Sequence, residues 1–410
     1  MGIRKRGDAW QIVVDVGKPI KTEDGKLKRQ QKVFTFYGTK PEARAEEARL
    51  KALYKFQTST KNMTLEQYML HWLETYKKHK LAVRTYESYK ETIEVHIGKD
   101  EIGKKPFDRV MPDDIQKYYN RKLAQGLSGT SVLYHHRILH AAYQQAVKSR
   151  LLPWTMNPCD AVEPPEKDDF SPAELSPEDV SKIIIVTNGK PLQMPIIISA
   201  MTGMRAGEVC GLKWLDVMFD KMAIKVHQAV KRESGELVLG PTKNKKERYV
   251  PLTPGLAAIL QKHKEEQDRI KEIYGADVER PEDKGPKYND QGFVLAWEDG
   301  RFFDPHYLST AFTKFMKAPK NEKLKIPENA TFHALRHFYA SAMQQAGANL
   351  KYISDALGHG KIDNITADVY IHTQIEDMRK YVDWLDEAVL VPAFPWLKDA
   401  LRENEANDVT

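Results

Sequence analysis

Over the first 37 residues, apolar and polar positions follow the short period of strands. Trp10-Gln11-Ile12-Val13-Val14-Asp15-Val16 is a strand-like run, Asp24-Gly25 marks a turn, and Lys32-Val33-Phe34-Thr35-Phe36-Tyr37 alternates. From Pro41, an Ala/Glu/Lys-rich stretch to about Lys55 has helix propensity, with proline near its start. So small a sheet needs a second surface, and residues 1–61 are expected to form one module in which it leans on that helix. The period then lengthens. Thr64-Leu65-Glu66-Gln67 is a capping-box pattern, and Leu65, Tyr68, Met69, Trp72, Leu73 and Tyr76 recur at helical spacing. Further helices are predicted at about 83–96, 112–125 and 129–149, so residues 62–155 read as a helical bundle.

Six prolines between residues 151 and 177 break helices and favour an extended chain, and 156–175 is expected to be a linker. Ser176-Pro177-Glu178-Asp179 opens the next unit with an N-cap, a first-position proline and acidic residues in the first turn. Helix to about Leu212 gives way to strands at Ala223 to Val230, Glu236 to Leu239 and Glu247 to Leu252. Mostly helix follows to about Leu390, and 391–410 forms an acidic tail. The expected fold is multi-domain and mainly α with small β-sheets.

Composition narrows the function. The chain has 410 residues, which at ~150 per domain suggests two to four compact units. Charged residues at 29% and aromatics at 10% argue against a disordered or disulfide-stapled chain. Cys159 and Cys210 are the only cysteines, so neither a disulfide framework nor a Cys-based zinc site is written here. The first residues lack the apolar core of a secretory signal, and no apolar run approaches the ~18 residues of a membrane helix; a cytoplasmic protein with no membrane partner is expected. Residues 1–61 carry a net +8 against +6 for the whole chain, while 371–410 carry −5. A basic head suits a polyanion, with nucleic acid the first candidate. Gly203, Gly207 and Gly211 are not followed by the Lys-Ser/Thr of a phosphate-binding loop, so nucleotide hydrolysis is not expected.

The chemistry-bearing residues lie late in the chain. Thr202-Gly203-Met204-Arg205-Ala206-Gly207-Glu208-Val209 comes first, then Thr242-Lys243, His333-Ala334-Leu335-Arg336-His337, Leu357-Gly358-His359 and Tyr370-Ile371-His372. In this order the set resembles the catalytic signature of tyrosine recombinases, phage-type site-specific integrases being the nearest group. The resemblance extends along nearly the whole chain. It implies that 1–61 is an arm-type DNA-binding domain, 62–155 a helical core-binding domain and 176–390 a mixed α+β catalytic domain of tyrosine-recombinase type.

The implied roles agree with the chemistry of each side chain. Cutting a phosphodiester without a metal requires fixed donors around a five-coordinate phosphate. Arg205 and Arg336 suit that clamp because a guanidinium pairs with two oxygens and keeps its charge. His333 stands three residues before Arg336, which on a helix capped by Thr331 puts both on one face; His359, after a helix-ending Gly358, is expected to donate to the same phosphate. Tyr370 is the expected nucleophile, a phenol of pKa about 10 that must lose its proton as it attacks. Lys243, preferred for its Thr-Lys context over the adjacent Lys245 and Lys246 of the same basic tip, is the expected general acid to the departing 5′ oxygen. The resemblance implies a 3′-phosphotyrosyl intermediate, reversible without ATP, and no cofactor. His359 precedes Tyr370 by 11 residues, slightly more than the family's spacing, the extra length falling in Gly360–Asn364.

Other residues are weighed beside these. Tyr352 and Tyr381 are alternative phenols not followed by Ile-His; Glu208 is expected to orient Arg205, and His337 to support the site. His135, His136 and His140 are expected on a wet or DNA-facing helix rather than at a metal. Arg4, Lys5, Arg6 and Trp10 are candidates for DNA contact by the basic sheet. Trp384, Leu385, Leu390, Val391, Phe394 and Trp396 are expected as anchors for a neighbouring protomer.

The expected function is site-specific recombination that integrates or excises a mobile element. The alternatives are a DNA-binding regulator that keeps the fold, and a relative of chromosome-dimer resolvases or topoisomerases. The implied partners are double-stranded DNA with core-type and arm-type attachment sites, three further copies in a tetramer on DNA, a host DNA-bending protein and an excision factor. The implied location is the nucleoid of a bacterial host.

Overall fold

A computed structural model describes residues 3–15, 20–21, 27–60, 63–152, 156–169, 171, 173–244, 247–275, 289–297, 299–358 and 375–407. The chain divides into two compact units, Met1–Phe170 and Ser171–Thr410.

The first unit begins with strands β1 (Ile3–Arg6) and β2 (Ala9–Asp15), the short ribbon of β3 (Ile20–Lys21) and β4 (Leu27–Lys28), and β5 (Gln31–Tyr37). The main sheet is antiparallel in the order β1-β2-β5 and is followed by helix α1 (Lys40–Thr60). The expected Asp24-Gly25 turn lies outside the described residues. Side chains directly opposite across paired strands share a face. Ile12 and Val14 thus join Phe34, Phe36 and Ile3 on the face that packs against Leu50 of α1. This alternation separates the four candidate DNA contacts. Lys5 pairs with Trp10 and Trp10 with Phe36, which puts both on the side of Ile12, where Lys5 is nonetheless exposed at the sheet's edge strand, and the Trp10 indole N–H donates to the Gly38 carbonyl at 3.0 Å. Arg4 and Arg6 stand on the open face with Gln11, Thr35 and the exposed Tyr37.

The bundle follows: α2 (Leu65–Trp72), α3 (Val83–Glu91), the single turn α4 (Glu101–Lys104), α5 (Pro112–Ala124) and α6 (Gly129–Lys148). The Thr64 capping box forms as read, with Gln67 N–H donating to Thr64 and the Gln67 side chain accepting from Thr64 N–H. Large aromatics fill the core, and their hydroxyls find partners as buried hydroxyls must: Tyr68 donates to Ala142 O at 2.9 Å and Tyr143 to Phe107 O at 3.1 Å. The histidines of α6 differ in their surroundings. His135 is buried against the Tyr118 hydroxyl at 2.9 Å, and desolvation pushes it down to about 4, so it is neutral; His136 meets Tyr119, and His140 meets Asp160. His135 thus braces the bundle interior, whereas His136 is half-buried and His140, its side chain 39% exposed beside Asp160, stays at the wet surface.

Part of the expected linker is also fastened to this unit. Cys159 is buried in the bundle core, and the Asp168 carboxylate accepts from the Gly129 and Thr130 N–H groups at the start of α6. These orphan helix N–H groups favour an anion, and their hydrogen bonds hold Asp168 down to about 2.

The second unit comprises α7 (Pro177–Val186), α8 (Gln193–Thr202), α9 (Ala206–Cys210), β6 (Val217–Met218), β7 (Ala223–Val226), β8 (Gln228–Glu233), β9 (Glu236–Pro241), β10 (Arg248–Pro251), α10 (Pro254–Gly275), α11 (Pro305–Met316), α12 (Phe332–Gln345) and α13 (Leu350–Leu357). Ser176 caps α7 as its sequence predicts. An antiparallel sheet runs β10-β7-β6, and β8-β9 form a separate hairpin.

The C-terminal segment packs largely on the second unit itself. Leu385, Leu390 and Leu397 are buried in this unit's own core, with Val391, Phe394 and Trp396 packed against it and Lys262 Nζ lying 3.3 Å from the centre of the Trp396 ring. A helix, Leu397–Asn407, follows. Leu385 and Leu390, fully buried in their own core, are not free as anchors for a neighbour, whereas Trp384 is exposed. Among the described residues no helix is long and apolar enough to cross a membrane.

Candidate active site

The site is built where three backbone turns meet. Helix α8 ends at Gly203, whose φ of 66° is left-handed and costs glycine nothing. A Cβ there would lie 2.6 Å from Cδ1 of Tyr339 and 3.0 Å from Cδ2 of Leu357. Two residues on, Arg205 occupies the N-cap of α9, in extended conformation. Its backbone N–H donates to Oε2 of Glu208 at 2.9 Å, and its Nη1 donates to Oε1 at 2.9 Å. Glu208 is therefore the orienting residue its spacing predicted.

Glu208 also does more. Arg248, the first residue of β10, donates to it from Nη2 at 2.7 Å and Nη1 at 3.2 Å, and Arg336 Nη1 stands 4.0 Å from its Oε2. One buried carboxylate thus lies among three guanidiniums. Burial alone would raise the Glu208 pKa, but the hydrogen bond and charge of Arg248, with help from Arg205, hold it below the ordinary value. Arg248 was not singled out by sequence. A signal existed, since strand alternation puts it on the same side as Val250, which is fully buried; its partners, however, lie 40 and 108 residues away.

Arg336 sits in the second turn of α12 and is almost fully buried. Its Nη1 donates to Gly203 O at 2.7 Å and its Nη2 to Leu357 O. Desolvation first, then the positive charge of Arg205, push it down to about 9, against the pull of Glu208; it remains a cation at neutral pH. This imbalance is one that an added anion relieves. His333, in the first turn of α12, is exposed, its ring 4.8 Å from that of His337 in a T-shaped contact. Thr331 holds the N-cap position by its backbone, Ala334 N–H donating to Thr331 O at 2.8 Å, but its hydroxyl makes no cap hydrogen bond.

Lys243 is exposed in the turn that follows β9, between the buried Thr242 and Asn244. Helix α13 ends at Gly358, again left-handed at φ 69°. His359 and Tyr370 follow that glycine in sequence and lie outside the described residues. Of the alternative phenols, Tyr352 and Tyr381 lie ring to ring at 5.9 Å, and the Tyr352 hydroxyl donates to Asp377 at 3.4 Å. The structure therefore gathers Arg205, Glu208, Arg248 and Arg336 into one cluster and brings the Lys243 turn to the end of α13.

The cluster lies inside a segment that matches a known family. Residues 174–376 match the phage integrase family and residues 64–123 match the phage integrase N-terminal SAM-like domain. A tyrosine recombinase XerC-like protein of Caldanaerobacter subterraneus subsp. tengcongensis is 27% identical, over 94% of this chain and 97% of its own. Among solved structures, the Tn1549 transposon integrase in complex with a circular intermediate DNA aligns with a TM-score of 0.60 at 20% identity, over 78% of this chain and 95% of that one. A lambda integrase tetramer bound to a Holliday junction aligns with a TM-score of 0.51 at 14% identity, over 90% of this chain and 98% of that one. With Arg205 and Arg336 gathered on one carboxylate inside the matched segment, this chain belongs to the tyrosine recombinases of the phage integrase family and is a site-specific DNA recombinase.

Proposed function

We propose that the chain cuts and rejoins DNA through Tyr370, and that it integrates and excises a mobile element. Arg205 and Arg336 hold the non-bridging oxygens of the scissile phosphate, with His333 and His359 as further donors. The Tyr370 oxygen attacks phosphorus as the phenol loses its proton to solvent or to an imidazole of the set. The P–O5′ bond breaks, and Lys243 Nζ gives a proton to the departing O5′. A 3′-phosphotyrosyl bond remains, and a 5′ hydroxyl from a second strand reverses the step without ATP.

The observation that carries this reading is the charge imbalance at Glu208. Three guanidiniums surround one carboxylate, and Arg336 is depressed by burial and by its cationic neighbour, so a bound phosphate supplies the missing negative charge.

The two DNA contacts are proposed on separate grounds. Residues 62–155 and the second unit hold the core site, as the lambda and Tn1549 relatives solved with DNA suggest. The N-terminal sheet lays its open face, with Arg4, Arg6 and Tyr37, in the groove of arm-type sites. A tetramer on DNA is proposed by analogy with the lambda assembly, with a bending protein and an excision factor of the host or element as further partners. The site of action proposed is the nucleoid of a bacterial cell.

The test uses labelled duplexes from the DNA adjoining the gene, nicked so that cleavage is trapped, and resolves them on a denaturing gel. Wild type is expected to leave a covalent protein–DNA adduct that also maps the cleavage site, and Tyr370→Phe to bind without one. Tight binding by wild type with no adduct would favour a regulator that keeps the fold.

A further inference from the structure

An α-helix leaves its last four carbonyls without helical partners. At the end of α13, three successive carbonyls are taken by three side chains from different parts of the second unit. Ala356 O accepts from Arg248 Nε at 2.8 Å, Leu357 O from Arg336 Nη2, and Gly358 O from Asn244 Nδ2 at 2.7 Å. Two of these donors belong to the guanidinium cluster. The third, Asn244, comes from the turn after β9 and is the immediate neighbour of Lys243.

Lys243 is thereby pinned on both sides although its own side chain is exposed. Before it, Thr242 is buried and its N–H donates to His227 O at 3.3 Å; after it, Asn244 reaches 114 residues along the chain to Gly358. The link continues through rigid geometry, since the neighbouring Leu357 carbonyl is held by Arg336. Gly358 can sit so close only because it lacks a side chain: a Cβ would approach Cδ of Arg248 to 3.1 Å, at a left-handed φ. An exposed lysine on a hairpin tip samples many positions, and a proton is passed only within hydrogen-bond reach.

We propose that Asn244 is a positioning residue, which ties the Lys243 turn to the end of α13 and so sets Lys243 against the phosphate held by Arg205 and Arg336. The inference rests on Lys243 being the general acid. Asn244 takes no part in bond making; it keeps Nζ within reach of O5′ as the P–O5′ bond breaks.

The test replaces the bridging 5′ oxygen of the mapped cleavage site with sulfur. A thiol has a pKa of about 8.5 and leaves as the thiolate, without the proton an alkoxide needs. The full chain is used, and DNA binding and thermal melting are measured beside single-turnover cleavage. Asn244→Ala is expected to melt and bind as wild type does, to cleave ordinary DNA about 10–100-fold more slowly, and to recover the wild-type rate on the sulfur substrate. Asn244→Asp, which keeps the shape but places a carboxylate oxygen against Gly358 O, is expected to behave likewise. Lys243→Ala is the reference and should be slower still on oxygen and also recover on sulfur. Recovery by Lys243→Ala but equal slowing of Asn244→Ala on both substrates would overturn the positioning role alone. Wild-type cleavage of ordinary DNA by Asn244→Ala would do the same. Failure of Lys243→Ala to recover would overturn the acid assignment and the inference with it.

Discussion

Arg248 and Glu208 form a buried bidentate pair, Nη2 to Oε2 at 2.7 Å and Nη1 to Oε1 at 3.2 Å, each side chain at most 4% exposed. The same carboxylate orients Arg205, and the remaining nitrogen of Arg248 holds the end of α13. One ion pair therefore joins α9, β10 and α13 beneath the proposed phosphate site.

Removing one partner of a buried pair leaves the other uncompensated and costs roughly 3–5 kcal/mol. Arg248→Ala is expected to lose stability on that scale in urea denaturation and to lose cleavage with it. Arg248→Lys, which cannot make the fork and the Ala356 contact together, should fall between Arg248→Ala and wild type. A loss below about 1 kcal/mol for Arg248→Ala would show that the pair is not a structural centre.

Gly203 carries two constraints at once, a left-handed backbone and close contact with Tyr339, and its carbonyl receives Arg336 Nη1 at 2.7 Å. Gly203→Ala is expected to cost about 1–2 kcal/mol for the backbone alone, with more from the contact. Because the strain falls on the acceptor of Arg336, cleavage should drop while DNA affinity holds. Comparing single-turnover rates with equilibrium binding checks this; equal losses in both would contradict it.

Asp386 fastens the C-terminal segment to the start of α10, accepting from Thr253 Oγ1 at 2.5 Å and Gly255 N–H at 2.6 Å. Burial raises its pKa to about 7, with Asp383 adding to the rise and the two hydrogen bonds opposing it. An acid raised in the folded state contributes stability that is fully present below its unfolded pKa of about 4 and is lost as pH rises through about 7. The difference in melting temperature between wild type and Asp386→Asn should therefore shift between pH ~4 and ~7 and level off above it. A difference that stays constant across that range would contradict the assignment.

How far the sequence could be read follows from how local each feature is. Thr64 and Ser176 announce helices because each capping partner lies three residues away, and Arg205 and Glu208 were legible as a pair for the same reason. The motif set around Arg205, Lys243 and Arg336 was legible through its order. Arg248 was not, because its strand looks ordinary and its partners are remote. The apolar tail told that Leu390 and Trp396 would be covered, but periodicity does not say by what, and they cover their own chain. Lys5 and Trp10 were grouped with Arg4 and Arg6 by adjacency, whereas a strand's alternation parts them.

That parting is itself testable. If the open sheet face meets DNA, Arg4→Ala with Arg6→Ala should weaken binding to arm-type DNA and reduce the slope of log affinity against log salt by about 2, one for each lost phosphate contact. Lys5→Ala, on the side of Ile12, should change the slope less. An equal effect from Lys5→Ala would place the contact on the strand's edge instead.

The most direct test of the account is to find the atom that holds the DNA. Trypsin cuts after Lys351, Lys361, Arg379 and Lys380, so Tyr352, Tyr370 and Tyr381 fall in three different peptides, and the one spanning 362–379 contains Tyr370 as its single tyrosine. Trapped adduct, digested with nuclease and trypsin and read by mass spectrometry, should show a 3′-linked nucleotide phosphate on Tyr370 in that peptide. A nucleotide on either other peptide, or one linked through its 5′ phosphate, would contradict the account.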